Sequence, residues 1–148
     1  MNDLNAYLMS IKPKYAYKIL AGEKKYELRR VVSSRINEGS LIVLYVSGRV
    51  KAIVGEFTAG KVFYGSPKYV WSIAYREGSG IDREDWSYIA GSREAMAIEV
   101  VNPRMYKHSV KLEDLRTVMP WFNPPLSYRR LSTSEPLYKL IIGLLRSA

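Results

Sequence analysis

The stretch "SLIVLYVS", residues 40 to 47, sets six apolar residues in an unbroken row between two serines. A run this rich in β-branched and aromatic side chains, with no polar alternation, belongs to a strand in the middle of a sheet. "SGR" closes it with a turn. "VKAIVGEFTAGKVFYG" then resumes strand character, interrupted by Gly55 and Gly60, which predict bulges or bends of a curved sheet.

The remaining elements follow from periodicity and punctuation. "NAYLMSI" alternates as a strand, and Pro13 suits the first turn of the next element, where a missing N–H costs nothing. "PKYAYKILAG" predicts an amphipathic helix with Tyr15, Ile19 and Leu20 on one face and Gly22 as its left-handed stop. From Lys24 to Arg30 a period of two puts Tyr26 and Leu28 on one face and Lys25, Glu27 and Arg29 on the other. "SPKYVWSIAYREGSG" reads as a helix from Pro67, and "IDREDWSYIAG" as a compact helix capped by Asp82 and stopped by Gly91. "EAMAIEVVNP" reads as a strand closed by Asn102-Pro103, "MYKHSV" as a short strand, and "KLEDLR" as a helical turn. "MPWFNPPLSYRRL", with three prolines, reads as irregular. In "STSEPLYKLIIGLLRS", Leu137, Leu140, Ile141, Leu144 and Leu145 recur at helical spacing and predict a helix packed on the core.

No repeat, low-complexity tract or Gly/Ser linker divides the chain, so its 148 residues are read as one domain. Strands with interposed helices predict a mixed α+β fold around a curved or barrel-like sheet. The chain has no cysteine and a single histidine, His108 in "YKHSV", which excludes disulfides, thiolate chemistry and a histidine cluster; no metal and no cofactor is expected. "GSG" at 78–80 lacks the length and the strand-helix context of a phosphate loop. "MNDLNAYLMS" shows no signal-peptide pattern, and the apolar C-terminal stretch, broken by Lys139, is shorter than a membrane span, so a cytoplasmic location is expected.

A formal charge of +9 points to an anionic partner, and its distribution is informative. Residues 1–40 hold eight basic and four acidic side chains, 41–103 hold seven of each, and 104–148 hold eight and three. If the two ends meet, they form one basic face of the kind that nucleic acids require. The densest charge is "AGEKKYELRR", residues 21–30, with seven ionisable side chains in ten positions. There Arg29 offers a planar fork for phosphate or a base edge, Lys24 a point charge, and Glu27 a carboxylate that can hold either in place. The competing reading is a solvated ladder of ion pairs on one strand face.

This stretch, as G-x-K-x-x-E-x-R after "SIKPKYAYKIL", resembles the signature of the ASCH domain, a branch of the PUA-like β-barrel superfamily. "EGSLIVLYVS", "AIVGEF", "GIDREDWSYIAGSREAMAIEV" and "NPPLSYRRL" are similar, in order, to later segments of that family. The resemblance implies one ASCH/PUA-like domain over residues 1–148, a curved barrel of five to six strands with flanking helices. It also implies a basic cleft lined by the Lys-Glu-Arg motif that engages RNA, a nucleotide or a nucleoside, in RNA metabolism or transcription regulation. The candidate binding residues are Lys12, Lys14, Tyr15, Lys24, Glu27, Arg29, Arg30, Trp121, Tyr128 and Arg129, the aromatics chosen because base stacking needs rings beside cations.

Two alternatives stay open. Some small members of the family are amidohydrolases that deacylate acetylated cytidine with a Lys near the glycine, a Thr three residues on and a distal acid. Here Lys24 holds the Lys position, Glu27 replaces the Thr, and Glu84 or Asp85 is the candidate distal acid. Without the hydroxyl no acyl-enzyme can form, which leaves water activated by Glu27 with Lys24 facing the oxyanion. The third reading is a protein-interaction module with the C-terminal helix as a dimer face.

Overall fold

The computed structural model describes residues 5–147; residues 1–4 and 148 of the expected domain lie outside the described residues. Six strands form one curled sheet in the order β2-β5-β4-β3-β1-β6. They are β1 (Ala6–Ile11), β2 (Tyr26–Arg30), β3 (Leu41–Val46), β4 (Ala52–Gly65), β5 (Ala95–Lys111) and β6 (Tyr128–Leu131). Helices α1 (Pro13–Leu20), α2 (Pro67–Ala74), α3 (Leu112–Val118) and α4 (Pro136–Leu140) flank it, together with a 3-10 helix at Arg83–Tyr88. Among the described residues only β1 and β3 pair in parallel. This is the expected α+β architecture of a curved sheet with flanking helices.

The apolar run that predicted a central strand is β3, and all six of its residues are buried. The pleat explains why none can be polar. Ile42, Leu44 and Val46 enter one core with Met9, Phe57 and Ile98, under α1. Leu41, Val43 and Tyr45 enter a second core on the other face, covered by α3, α4 and a π-helical turn at Ile141–Leu145. A third core of Leu28, Val70, Ala74 and Ile89 seats α2 and the 3-10 helix against the β2–β5 end of the sheet.

Curvature arises where the glycines predicted it. The β3–β4 and β4–β5 registers slip around Gly55, and the β4–β5 register slips again between Ala59 and Val62, across Gly60. A β-carbon on Gly55 would lie 2.5 Å from the Arg104 carbonyl oxygen, so the close strand approach at this bend admits only glycine.

Three expectations need correction. Asn102-Pro103 does not end a strand: β5 runs through it to Lys111, Asn102 taking a left-handed φ of 49° and the register slipping there, so the pair makes a bulge. "YRRL" is not irregular but forms β6, antiparallel to β1. The compact helix expected after Asp82 is present and winds as a 3-10 helix. In the C-terminal helix, Leu137, Ile141 and Leu145 are buried while Leu144 is exposed. Among the described residues no helix is long and apolar enough to cross a membrane.

Candidate nucleic-acid cleft

The ends of β1 and β2, the start of α1, the β3–β4 turn, the 3-10 helix and the proline loop 124–127 enclose a cleft of about 680 Å³. Its floor is the charged motif. Lys24 and Glu27 are 2% and 5% exposed, and Glu27 uses both carboxylate oxygens: Oε1 accepts from Lys24 Nζ at 2.7 Å and Oε2 from Arg29 Nε at 2.7 Å. Burial alone would push the Glu27 carboxyl up, but the charges and hydrogen bonds of Lys24 and Arg29 outweigh it and hold the group below the usual carboxylate range. The solvated ladder considered for this strand therefore does not form. Lys25, expected on the same face, precedes β2 and turns outward to the Gly22 carbonyl.

Arg29 is fixed from three sides. Besides Glu27, its Nη2 donates to the Ser10 carbonyl at 2.8 Å and its Nη1 approaches the carbonyl and hydroxyl oxygens of Ser127 at 3.4 and 3.3 Å. Ser10 in turn holds the proline loop, its N–H donating to Ser127 O and its hydroxyl to Pro125 O. Among the described residues the second proton on Nη2 has no acceptor.

Lys24 is also positioned by the "GSG" segment. Lys25 N–H donates to Ser79 O at 2.7 Å, Lys18 Nζ donates to Gly80 O at 3.1 Å, and a β-carbon on Gly80 would sit 2.0 Å from Glu23 O and 2.9 Å from the Lys24 α-carbon. Gly80 has a φ of +79°. The segment is a buttress pressed against the Lys24 backbone.

One wall is aromatic. Tyr15 and Tyr88 meet edge to face with ring centres 5.5 Å apart, Lys24 Nζ lies 5.7 Å from the Tyr15 ring, and Lys12 Nζ lies 6.0 Å from the Tyr88 ring. Burial foremost, then Tyr88, pushes the Tyr15 hydroxyl well up, so it stays protonated. Tyr45, Lys51 and Ser127 also line the cleft. Burial raises Tyr45, Arg116 opposing it, so its O–H remains a donor at neutral pH. Lys51 is exposed at the start of β4 and has a φ of 47°, a conformation rare for a side chain of its kind, locked by the Leu112 N–H on its carbonyl at 2.8 Å.

Of the residues singled out from sequence, Lys12, Tyr15, Lys24, Glu27, Arg29 and Arg30 line the cleft. Arg30 sits at its edge and donates to the carbonyls of Tyr88 and Ala90. Five candidates lie elsewhere. Tyr128 is 4% exposed and packs inward, its hydroxyl donating to Ser34 O at 2.5 Å and accepting from Val32 N–H, so it pins the loop after β2 and offers no stacking face. Arg129, on the opposite face of β6, forks onto Glu135 at 3.0 and 3.1 Å. Trp121 is 68% exposed outside the cleft. Lys14 and Glu84 pair with each other on the surface. Asp85, the other acid considered, lines the cleft and is 2% exposed.

The two chain ends do meet, as β1 and β6 pair. The cleft cations nevertheless all come from residues 12–51, and the C-terminal third supplies Leu112, Pro124, Pro125, Leu126 and Ser127. Residues that sequence reasoning missed are Tyr45, Lys51, Tyr88 and Ser127. Lys51 carried a weak signal, as the second cation of the turn segment "SGRVK".

No family model matches the chain. It is 25% identical over 138 residues to an "ASCH domain-containing ribonuclease" of Zymomonas mobilis, covering 90% of this chain and 88% of that one. The crystal structure of a serine-to-alanine variant of the Z. mobilis ASCH protein superposes with a TM-score of 0.79 at 22% identity, covering 96% of this chain and 98% of that one. Human THYN1, solved in complex with 5-methylcytosine containing DNA, superposes at 0.58 with 14% identity, over 95% and 98% of the two chains. The curled six-stranded sheet and the superposition along nearly the whole of an ASCH protein show that this chain has the fold of that protein, a curled PUA-like sheet with flanking helices.

Proposed function

We propose that the cleft binds single-stranded RNA and that the protein acts on it as a ribonuclease. The observation that carries this reading is Arg29, half-buried in the cleft, aimed by Glu27 and Ser10, and left with one Nη2 proton without an acceptor among the described residues, where Tyr15, Tyr88 and a second cation, Lys51, also line the cleft. A guanidinium so fixed suits a phosphate oxygen. Tyr15 and Tyr88 supply ring surface for a base. Attack on the phosphorus by a water or by the neighbouring 2′-hydroxyl forms one P–O bond as the P–O5′ bond breaks, the attacking group's proton passing to the departing 5′-oxygen, and builds negative charge on the non-bridging oxygens on the way. Arg29 and Lys51 oppose that charge, and Tyr45 and Ser127 also line the cleft. The name of the Z. mobilis relative supports an activity on RNA.

Glu27 serves in this reading as a brace. A carboxylate with both oxygens committed to cations and its proton affinity lowered is a poor general base, which speaks against water activation by Glu27 and so against the deacylase alternative.

The test is fluorescence anisotropy of a labelled mixed-sequence single-stranded RNA over a salt series, with cleavage followed on gels in the presence and absence of added magnesium. The wild-type protein is expected to bind with a steep salt dependence and to cut the strand. Lys51→Ala is expected to flatten the slope of log affinity against log salt by about one and to slow cleavage at least tenfold. Salt-independent binding, or RNA affinity and cleavage unchanged in Lys51→Ala and in Arg29→Ala, overturns the proposal.

A further inference from the structure

Two of the chain's three tryptophans, Trp71 and Trp86, meet beside the cleft without lining it. Trp86 touches Trp71 edge to face with ring centres 5.5 Å apart, and Trp71 stacks on Tyr75 with centres 4.5 Å apart and planes 18° from parallel. Both tryptophans are half-buried, whereas Tyr75, at the end of the stack, is 42% exposed. The helices set cations beside these rings. Lys68 lies three residues before Trp71 on α2, a spacing that puts the two on one side of the helix. Arg83 lies three residues before Trp86 on the 3-10 helix, where side chains at that spacing eclipse. Lys68 and Arg83 are exposed, and among the described residues neither pairs with a carboxylate. The acids on either side of Arg83 are drawn to α1, Asp82 by Lys18 at 3.4 Å and Glu84 by Lys14. The same 3-10 helix carries Ser87 and Tyr88 into the cleft, so the ring cluster continues the cleft surface.

Building on the RNA reading above, we infer that Trp71, Tyr75 and Trp86, with Lys68 and Arg83, form a second contact surface for single-stranded RNA, which receives the strand where it leaves the cleft over the 3-10 helix. An unpaired base extends the Trp71–Tyr75 stack, since every base offers a ring face. Lys68 and Arg83 meet the phosphates that flank it. Charge decides between RNA and a protein as the occupant. Protein interfaces are depleted in lysine and keep charge out of an apolar centre. Here no exposed side chain of α2 or of the 3-10 helix is aliphatic, and the cations beside the tryptophans lack counter-ions among the described residues. Stacking and phosphate contact read no base edge, so this surface adds affinity for a longer strand without adding sequence preference.

The experiment measures dissociation constants of a labelled mixed-sequence dodecaribonucleotide for the wild type, Tyr75→Ala, Tyr75→Phe, the double variant Lys68→Glu/Arg83→Glu, and Arg29→Ala. Tyr75→Ala is expected to weaken binding by at least about fivefold. Tyr75→Phe keeps the ring and is expected to bind as the wild type does, which separates stacking from any disturbance of the helix end. The double charge reversal is expected to weaken binding by at least about tenfold at low salt and to flatten the slope of log affinity against log salt by about one or more. All three substituted side chains are exposed, and the urea midpoints of these variants are expected to match that of the parent. Affinity unchanged in Tyr75→Ala and in the double variant, with binding lost in Arg29→Ala, overturns the second surface, leaves a protein as the partner of these rings and keeps the RNA cleft in place. An equal loss in Tyr75→Phe and Tyr75→Ala overturns the stacking role. Failure of the wild type to bind the dodecamer overturns both the surface and the cleft reading.

Discussion

The buried ion triad makes a sharp demand on stability. In Glu27→Gln the side chain keeps its shape but loses its charge, leaving Lys24, 2% exposed, and Arg29, whose side chain is 12% exposed, without their shared counter-ion. Removing one partner of a buried pair costs about 3–5 kcal/mol, most of it the penalty of a stranded charge. For a domain of this size that corresponds to a fall in melting temperature on the order of 10 °C. Urea denaturation at pH 7 is the assay, with the midpoint expected to drop and the slope to stay constant, which assigns the change to the native state. The double substitution Lys24→Met/Glu27→Gln removes the stranded ammonium as well. Arg29 keeps its contacts to Ser10 and Ser127, so the double variant is expected to recover at least half of the loss. A Glu27→Gln protein within about 1 kcal/mol of the parent, or a double variant whose loss equals the sum of the single losses, would refute the account of the triad as a mutually compensated buried unit.

Two further predictions concern the frame around the cleft. Gly80→Ala must place a β-carbon against the Glu23 carbonyl in a left-handed conformation; it is expected to destabilise the fold by more than about 2 kcal/mol in the same urea assay and to weaken RNA binding by displacing Lys24. The two buried carboxyls give opposite pH dependences. Glu27 has a lowered folded pKa, so its stabilisation is complete above the unfolded value of about 4.3 and is lost as pH falls through the lower folded one. Asp85 has a raised folded pKa, so its ionised form costs stability above that value and the cost vanishes below the unfolded value of about 3.9. Melting curves between pH 3 and 8 are therefore expected to show Asp85→Asn more stable than the parent at pH 7 and level with it at pH 3, whereas Glu27→Gln loses its deficit toward pH 3.

Much of the frame was legible because it rests on local rules. The unbroken apolar run Leu41–Val46, the prolines opening α1 and α2, and the glycines at the bends of β4 each state a backbone requirement within a few residues. The misreadings share one cause. Pro103 and the prolines before Tyr128 break local pattern, but a long bulged β5 and a strand as short as β6 are held by partners far away, Glu56 and Thr58 for the first and Leu8 and Met9 for the second. Tyr128 and Arg129 looked alike as neighbours of a proline-rich segment, yet the strand pleat sends one into the core and the other to Glu135.

The sequence alone determined which groups sit at the centre of the cleft. Lys24, Glu27 and Arg29 lie within six residues, and a turn followed by a strand brings them together without reference to the rest of the chain. Only the tertiary structure decided what faces them. Tyr45 and Lys51 arrive through the parallel pairing of β3 with β1, Asp85 and Tyr88 through a helix seated against the β2–β5 end of the sheet, and Ser127 through the loop that Ser10 holds. Contacts between residues 19 to 115 positions apart depend on sheet order and on which face each side chain takes, and those are settled by burying three cores at once rather than by any local preference of the chain.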